Sequence, residues 1–131
     1  MNPTQVTLEK RLREMLDTLD NYLEDTYGDM FSLNPNRLPR GEASSTLYDG
    51  LFSTSTKFTL GYGSESGRGY SVVIDISTLD KVDTKTKDTI EADAAGKLSE
   101  LLHTYFPERD LQVVHDGNSY KIVGDLSLGI S

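Results

Sequence analysis

The first 28 residues constrain this chain more than anything after them. Leu8, Leu12, Met15, Leu16, Leu19, Tyr22, Leu23 and Tyr27 recur at three- and four-residue steps, which puts them on one stripe of an α-helix. Asn2 is placed to cap that helix, Pro3 suits its first turn, and Gln5 stands where a reciprocal capping side chain belongs. Gly28 is expected to close it in the left-handed conformation. From Pro3 to Tyr27 such a helix is about 38 Å long. A compact domain of 131 residues is about 36 Å across. The helix therefore spans the whole body or projects from it. Glu9, Glu14, Asp17, Asp20, Glu24 and Asp25 fall outside the stripe and read as an acidic outer face.

Two uses compete for the stripe. The row Leu8, Leu12, Met15, Leu19 and Tyr22 follows coiled-coil spacing, so one flank suffices to cover a sheet. The other flank is then an interaction surface for a second copy about a two-fold axis. Alternatively, the chain's own core consumes the entire stripe. Helix length tips the expectation toward a homodimer.

Beyond the helix, Ser32–Ser45 reads as an irregular connector, because Pro35 and Pro39 hold their predecessors extended. Strands are predicted over Thr46–Thr54, over Thr56–Tyr62 with Phe58, Leu60 and Tyr62 on one face, and over Tyr70–Ser77 with Tyr70, Val72, Ile74 and Ile76 on one face. A second helix fits Thr84–Tyr105, with Ile90, Ala94, Leu98, Leu101, Leu102 and Tyr105 as its stripe and Pro107 ending it. "LQVVHDGNSYKIVGDL" is a hairpin turning at Asp116-Gly117. The order α-β-β-β-α-β-β, joined by hairpin loops, predicts an α+β fold: a twisted antiparallel sheet of about five strands with two helices on one face. It is a single domain over 1–131, with the long helix at 3–27, the connector at 32–45, and the sheet and second helix at 46–126.

Charge narrows the function. With 13 basic and 21 acidic residues the formal charge is -8. That field repels phosphate polyanions, so nucleic acid is not an expected partner. The absence of cysteine removes disulfides, thiolate-bound metals and thiol catalysis. The N-terminus mixes charged with apolar residues and lacks the continuous apolar run of a signal peptide, and no run is long enough to cross a bilayer. The expected location is the cytoplasm.

"GYGSESGRGY", from Gly61 to Tyr70, is the nearest thing to a phosphate cradle. A phosphate loop of the dinucleotide type needs a helix after it, whereas here a strand follows. The spacing from Gly63 to Gly67 also misses the kinase glycine loop by one residue. The loop reads as a hairpin tip. Arg37 and Arg40, a close arginine pair in the connector, and Arg68 are the candidate anion ligands. His103 and His115 have structural readings, at a helix end and a hairpin mouth. Asp75 is expected to pair across strands with Lys121. No catalytic group, metal site or cofactor site assembles from these spacings.

The element order and acidic charge resemble those of small type III secretion chaperones and the related YbjN-like domains. That resemblance implies a dimer that binds other proteins. Those families carry a further C-terminal helix, whereas this sequence ends in "DLSLGIS". The function expected is a non-enzymatic protein-interaction or regulatory module, a chaperone-like homodimer. The alternative is a domain that binds a small anion, a nucleotide or phosphometabolite, through Arg37, Arg40 and the Gly61–Gly69 loop.

Overall fold

The computed structural model describes residues 3–60 and 67–125. Cap residue Asn2, Tyr62 and the tip of the glycine loop lie outside them. Two helices and four strands follow in the order α1 (Pro3–Tyr27), β1 (Phe52–Thr59), β2 (Gly69–Ile76), α2 (Thr84–Tyr105), β3 (Leu111–Asp116) and β4 (Ser119–Gly124). The strands pair antiparallel in the order β1-β2-β4-β3. The fold is α+β, with four described strands where about five were expected.

Side-chain alternation puts one sheet face inward. Phe52 and Thr54 on β1, Tyr70, Val72, Ile74 and Ile76 on β2, Leu111 and Val113 on β3, and Ile122 on β4 all bury surface there. Both helices cover that face. Leu8, Leu12, Met15, Leu16, Leu19 and Leu23 of α1 meet Ile90, Ala94, Leu98, Leu101 and Leu102 of α2 in one core. The outer face is polar and open, with Lys57 and Asp75 exposed.

Helix α2 begins where Asp83 accepts the Thr86 N–H (2.7 Å). It ends at Phe106, which is fully buried and precedes Pro107. Gly28 does not take the left-handed conformation. Its N–H still bonds the Glu24 carbonyl (2.9 Å), and a Cβ there would lie 2.4 Å from that oxygen. Close approach, not positive φ, calls for glycine at this position.

The expected strand over Thr46–Thr54 does not form. Thr46–Leu51 are turns carrying one bridge, Leu38 to Asp49, and a single strand starts at Phe52. Gly50, at φ +76, breaks the extended path. Asp75 also departs from expectation: it faces Ser53, while Lys121 faces Ser71. Lys121 is buried and bonds Asp116 (3.2 Å) and the Gly67 carbonyl.

Candidate functional site

The polar face of α1 is not an outer face. Arg13, Asp17, Asp20 and Glu24 form a second stripe, one residue on from Leu12, Leu16, Leu19 and Leu23 and so rotated by about 100°. The connector lies across it. Glu24 Oε1 accepts the N–H groups of Leu51 and Phe52 (2.9 Å for Phe52) and so fixes where β1 begins. Asp17 Oδ1 accepts Arg13 Nε (3.0 Å), Ser45 Oγ (3.0 Å) and Thr46 Oγ1 (2.7 Å). Arg13 Nη1 donates to the Thr54 carbonyl (2.9 Å), which ties the stripe to β1.

Asp20 has no exposed surface at all. Its Oδ2 lies 2.6 Å from Thr46 Oγ1 and 3.4 Å from Arg13 Nη2, and its Oδ1 is buried without a hydrogen bond. Burial pushes its carboxyl up from the usual carboxylate range to about 7, against smaller opposing effects of Thr46, Thr54 and Arg13. The Thr54 hydroxyl lies 3.4 Å from the Leu16 carbonyl, and both that hydroxyl and the Thr54 N–H favour the charged form of Asp20 without offsetting its burial.

The connector is also held from within. Arg37 Nε donates to the Gly50 carbonyl (3.1 Å), and Nη2 stands 3.0 to 3.2 Å from the carbonyls of Thr46, Leu47 and Asp49. Asp49, 2% exposed, accepts the Ala43 N–H on Oδ2 (2.8 Å) and keeps an unpartnered Oδ1. Between connector and helix lies a cleft of about 250 Å³ bordered by Asp17, Asn21, Arg40, Ser45, Thr46 and Asp49.

Arg37 is therefore a structural clamp. Its donors are spent on carbonyls that a neighbouring strand would otherwise have satisfied. Arg40 is exposed and engages Asp25 (3.0 Å) and the Asn21 side chain (3.1 Å). Arg68, the residue before β2, is exposed. The structure does not gather the three arginines into one anion site. The stripe proposed as a partner surface is inside: Leu8, Leu12, Met15 and Leu19 are 4% exposed or less. Tyr22 is half-buried and donates to Asp93 Oδ1 (2.9 Å), while Tyr27 donates to Asp93 Oδ2 (2.5 Å). That bond to Asp93, with burial second, pushes Tyr27 up to about 12. The helix that was expected to offer a flank to a second copy closes its own core instead, because α2 and the sheet both lie against the stripe.

Chemically the cleft holds and orders more than it reacts. The Ser45 hydroxyl donates to Asp17, but the same carboxylate oxygen also accepts from Arg13 and Thr46, so it is already occupied by structural bonds. Among the described residues, no three His, Cys, Asp or Glu side chains are grouped to hold a metal ion. His115 stacks on Tyr120 (4.7 Å between centroids), and His103 is exposed in the last turn of α2. Among the described residues, no helix is long and apolar enough to cross a membrane.

A family model described as "Uncharacterised protein" matches residues 3–124. The chain belongs to that family. A protein of Borreliella burgdorferi, described as "Uncharacterized protein", is 45% identical over 106 residues, covering 81% of this chain and 83% of its own. No solved structure matches. The family match takes in the polar stripe of α1, the connector and all four strands.

Arg37→Ala is expected to loosen the connector and lower stability by about 3 kcal/mol, since a hydrogen bond to a charged group contributes about 1.5–3 kcal/mol and several are lost together. Arg37→Lys should recover little, because one ammonium cannot reproduce the planar fork. Urea denaturation followed by circular dichroism measures both. An Arg37→Ala midpoint equal to wild type would show that the clamp carries no weight.

Proposed function

We propose that this protein works by binding a protein partner, as a non-enzymatic interaction module in the cytoplasm, and that the connector carries the contact surface. One observation carries this reading. Between α1 and β1, Arg37, Ser45, Thr46 and Asp49 make their hydrogen bonds inward, while several large apolar side chains turn outward. Met30 is 53% exposed, Leu38 49% and Tyr48 60%, and Leu79 on the neighbouring β2–α2 loop is 75% exposed. The two segments are strapped together, Asn34 N–H to the Ser77 carbonyl (2.8 Å) and Thr78 Oγ1 to the Ser32 carbonyl (2.5 Å). An ordered loop presenting aromatic and aliphatic side chains suits a protein contact, where such groups supply most of the binding free energy. The anionic-ligand alternative loses Arg37 to the backbone, and Asp17 and Asp49 border the cleft in which Arg40 sits.

The test compares wild type with Leu38→Ser/Tyr48→Ser in quantitative capture from an extract of the source cells. Val73→Ser on the open sheet face is the control. The double variant should fold normally and retain at least about tenfold less of any specific partner, as loss of two contact residues at about 1 kcal/mol or more each requires. Equal retention by all three proteins would reject the connector as the contact surface.

A further inference from the structure

The hydroxyl of Thr46 has one proton and two carboxylate neighbours, Asp17 Oδ1 at 2.7 Å and Asp20 Oδ2 at 2.6 Å. It donates to only one of them. The second short contact requires a proton on a carboxyl group. Asp17 is part-exposed and accepts from Arg13 Nε and Ser45 Oγ, so its charge is compensated. Asp20 is fully buried with one oxygen unpartnered, so its charge is the costly one. We infer that Asp20 is a proton-operated latch: as the neutral acid it donates to Thr46, which donates to Asp17, and loss of that proton releases the connector from α1.

The surroundings define the direction. On α1 the charged groups around Asp20 are Arg13, Asp17 and Glu24. The connector contributes the uncharged Thr46 and β1 the uncharged Thr54, while Asp49 and Arg40 border the adjoining cleft beside Asp17. Arg13 offers partial compensation at 3.4 Å, but its Nε is given to Asp17 and its Nη1 to the Thr54 carbonyl. An ionised Asp20 would leave two carboxylates facing one hydroxyl. Repulsion then falls on the stretch around Ser45 and Thr46, which is held to α1 by hydrogen bonds, whereas Leu33 and Leu51 on either side of it pack on the core. Desolvation raises the Asp20 carboxyl to about 7, which puts the transition in the physiological range. The latch depends on the shared Thr46 proton and on Asp20 burial, whatever the connector binds.

Two measurements test it. Carbon-13 NMR of the Asp20 carboxyl in wild type should titrate near pH 7. Amide exchange at Ala43, Leu47 and Gly50, corrected for intrinsic rates, should lose about tenfold protection between pH 6 and pH 8, since the open population gains up to about tenfold per pH unit below the midpoint and levels off above it. Asp20→Asn keeps a neutral donor toward Thr46 and should hold its protection throughout. A wild-type midpoint near 4 would overturn the latch without reference to any variant. So would an equal loss of protection in wild type and Asp20→Asn.

Discussion

Leu12→Glu combined with Leu19→Glu is expected to leave the chain unfolded at neutral pH. Leu12 is 4% exposed and Leu19 is fully buried. Removing a buried leucine side chain costs about 2–5 kcal/mol at each site, and placing a carboxylate there adds the expense of an unpaired buried charge. A domain of this size has about 5–15 kcal/mol of net stability to lose. The residual space Leu19 shares with Val72, Ile74, Ala94 and Leu98 is about 10 Å³, room for a single water. Far-UV circular dichroism should show the helical signal lost. A folded double variant, monomeric where wild type is dimeric at about 29 kDa (twice the 14.5 kDa chain), would show instead that the stripe faces a second copy.

Both helices were legible because their apolar stripes are long and interrupted only at their ends. Pro3 and Tyr27 bound α1, and Thr84 and Tyr105 bound α2. The inward parity of β2 was legible for the same reason, since Tyr70, Val72, Ile74 and Ile76 alternate without a break. Connector and site were not. Thr46–Thr54 has the composition of a strand, but Arg37 supplies from ten residues away the donors that a neighbouring strand would give. No local pattern announces that substitution. The polar stripe left a clearer mark: Arg13, Asp17, Asp20 and Glu24 track the apolar set one position behind. A solvated helix face has no need of that order. Which segment covers the stripe is still set by contacts 26 to 29 residues apart, to Thr46, Ser45 and Leu51 among others. Sequence periodicity carries nothing about such pairs.

Wild-type stability should fall as pH rises from about 4 to about 7, and Asp20→Asn should remove that fall. The Asp20 carboxyl is raised from 3.8 to about 7 on folding. Between those values the folded chain binds a proton there that the unfolded chain has lost. Linkage then makes stability decrease with pH across the window and level off above it. About three pKa units correspond to about 4 kcal/mol, at about 1.4 kcal/mol per unit. Asp83 is held below the usual carboxylate range by the Thr86 N–H, and Glu108 by its own N–H and then by Arg11. Their contribution has the opposite sign and is lost only as pH falls below about 4, the ordinary range of carboxyl titration. The two effects therefore do not overlap. Asn at position 20 cannot ionise, and its amide N–H replaces the acid proton toward Thr46. It gives up only the 3.4 Å contact with Arg13. Near pH 4 the two proteins should melt at similar temperatures. At pH 8 the variant should be the more stable by about 2–4 kcal/mol, or about 8–15 °C in Tm for a domain of this length. Every other titrating group cancels in the difference between the two curves. Parallel curves across the window would show that Asp20 is ionised in the folded protein and that Thr46 is held by something other than its proton.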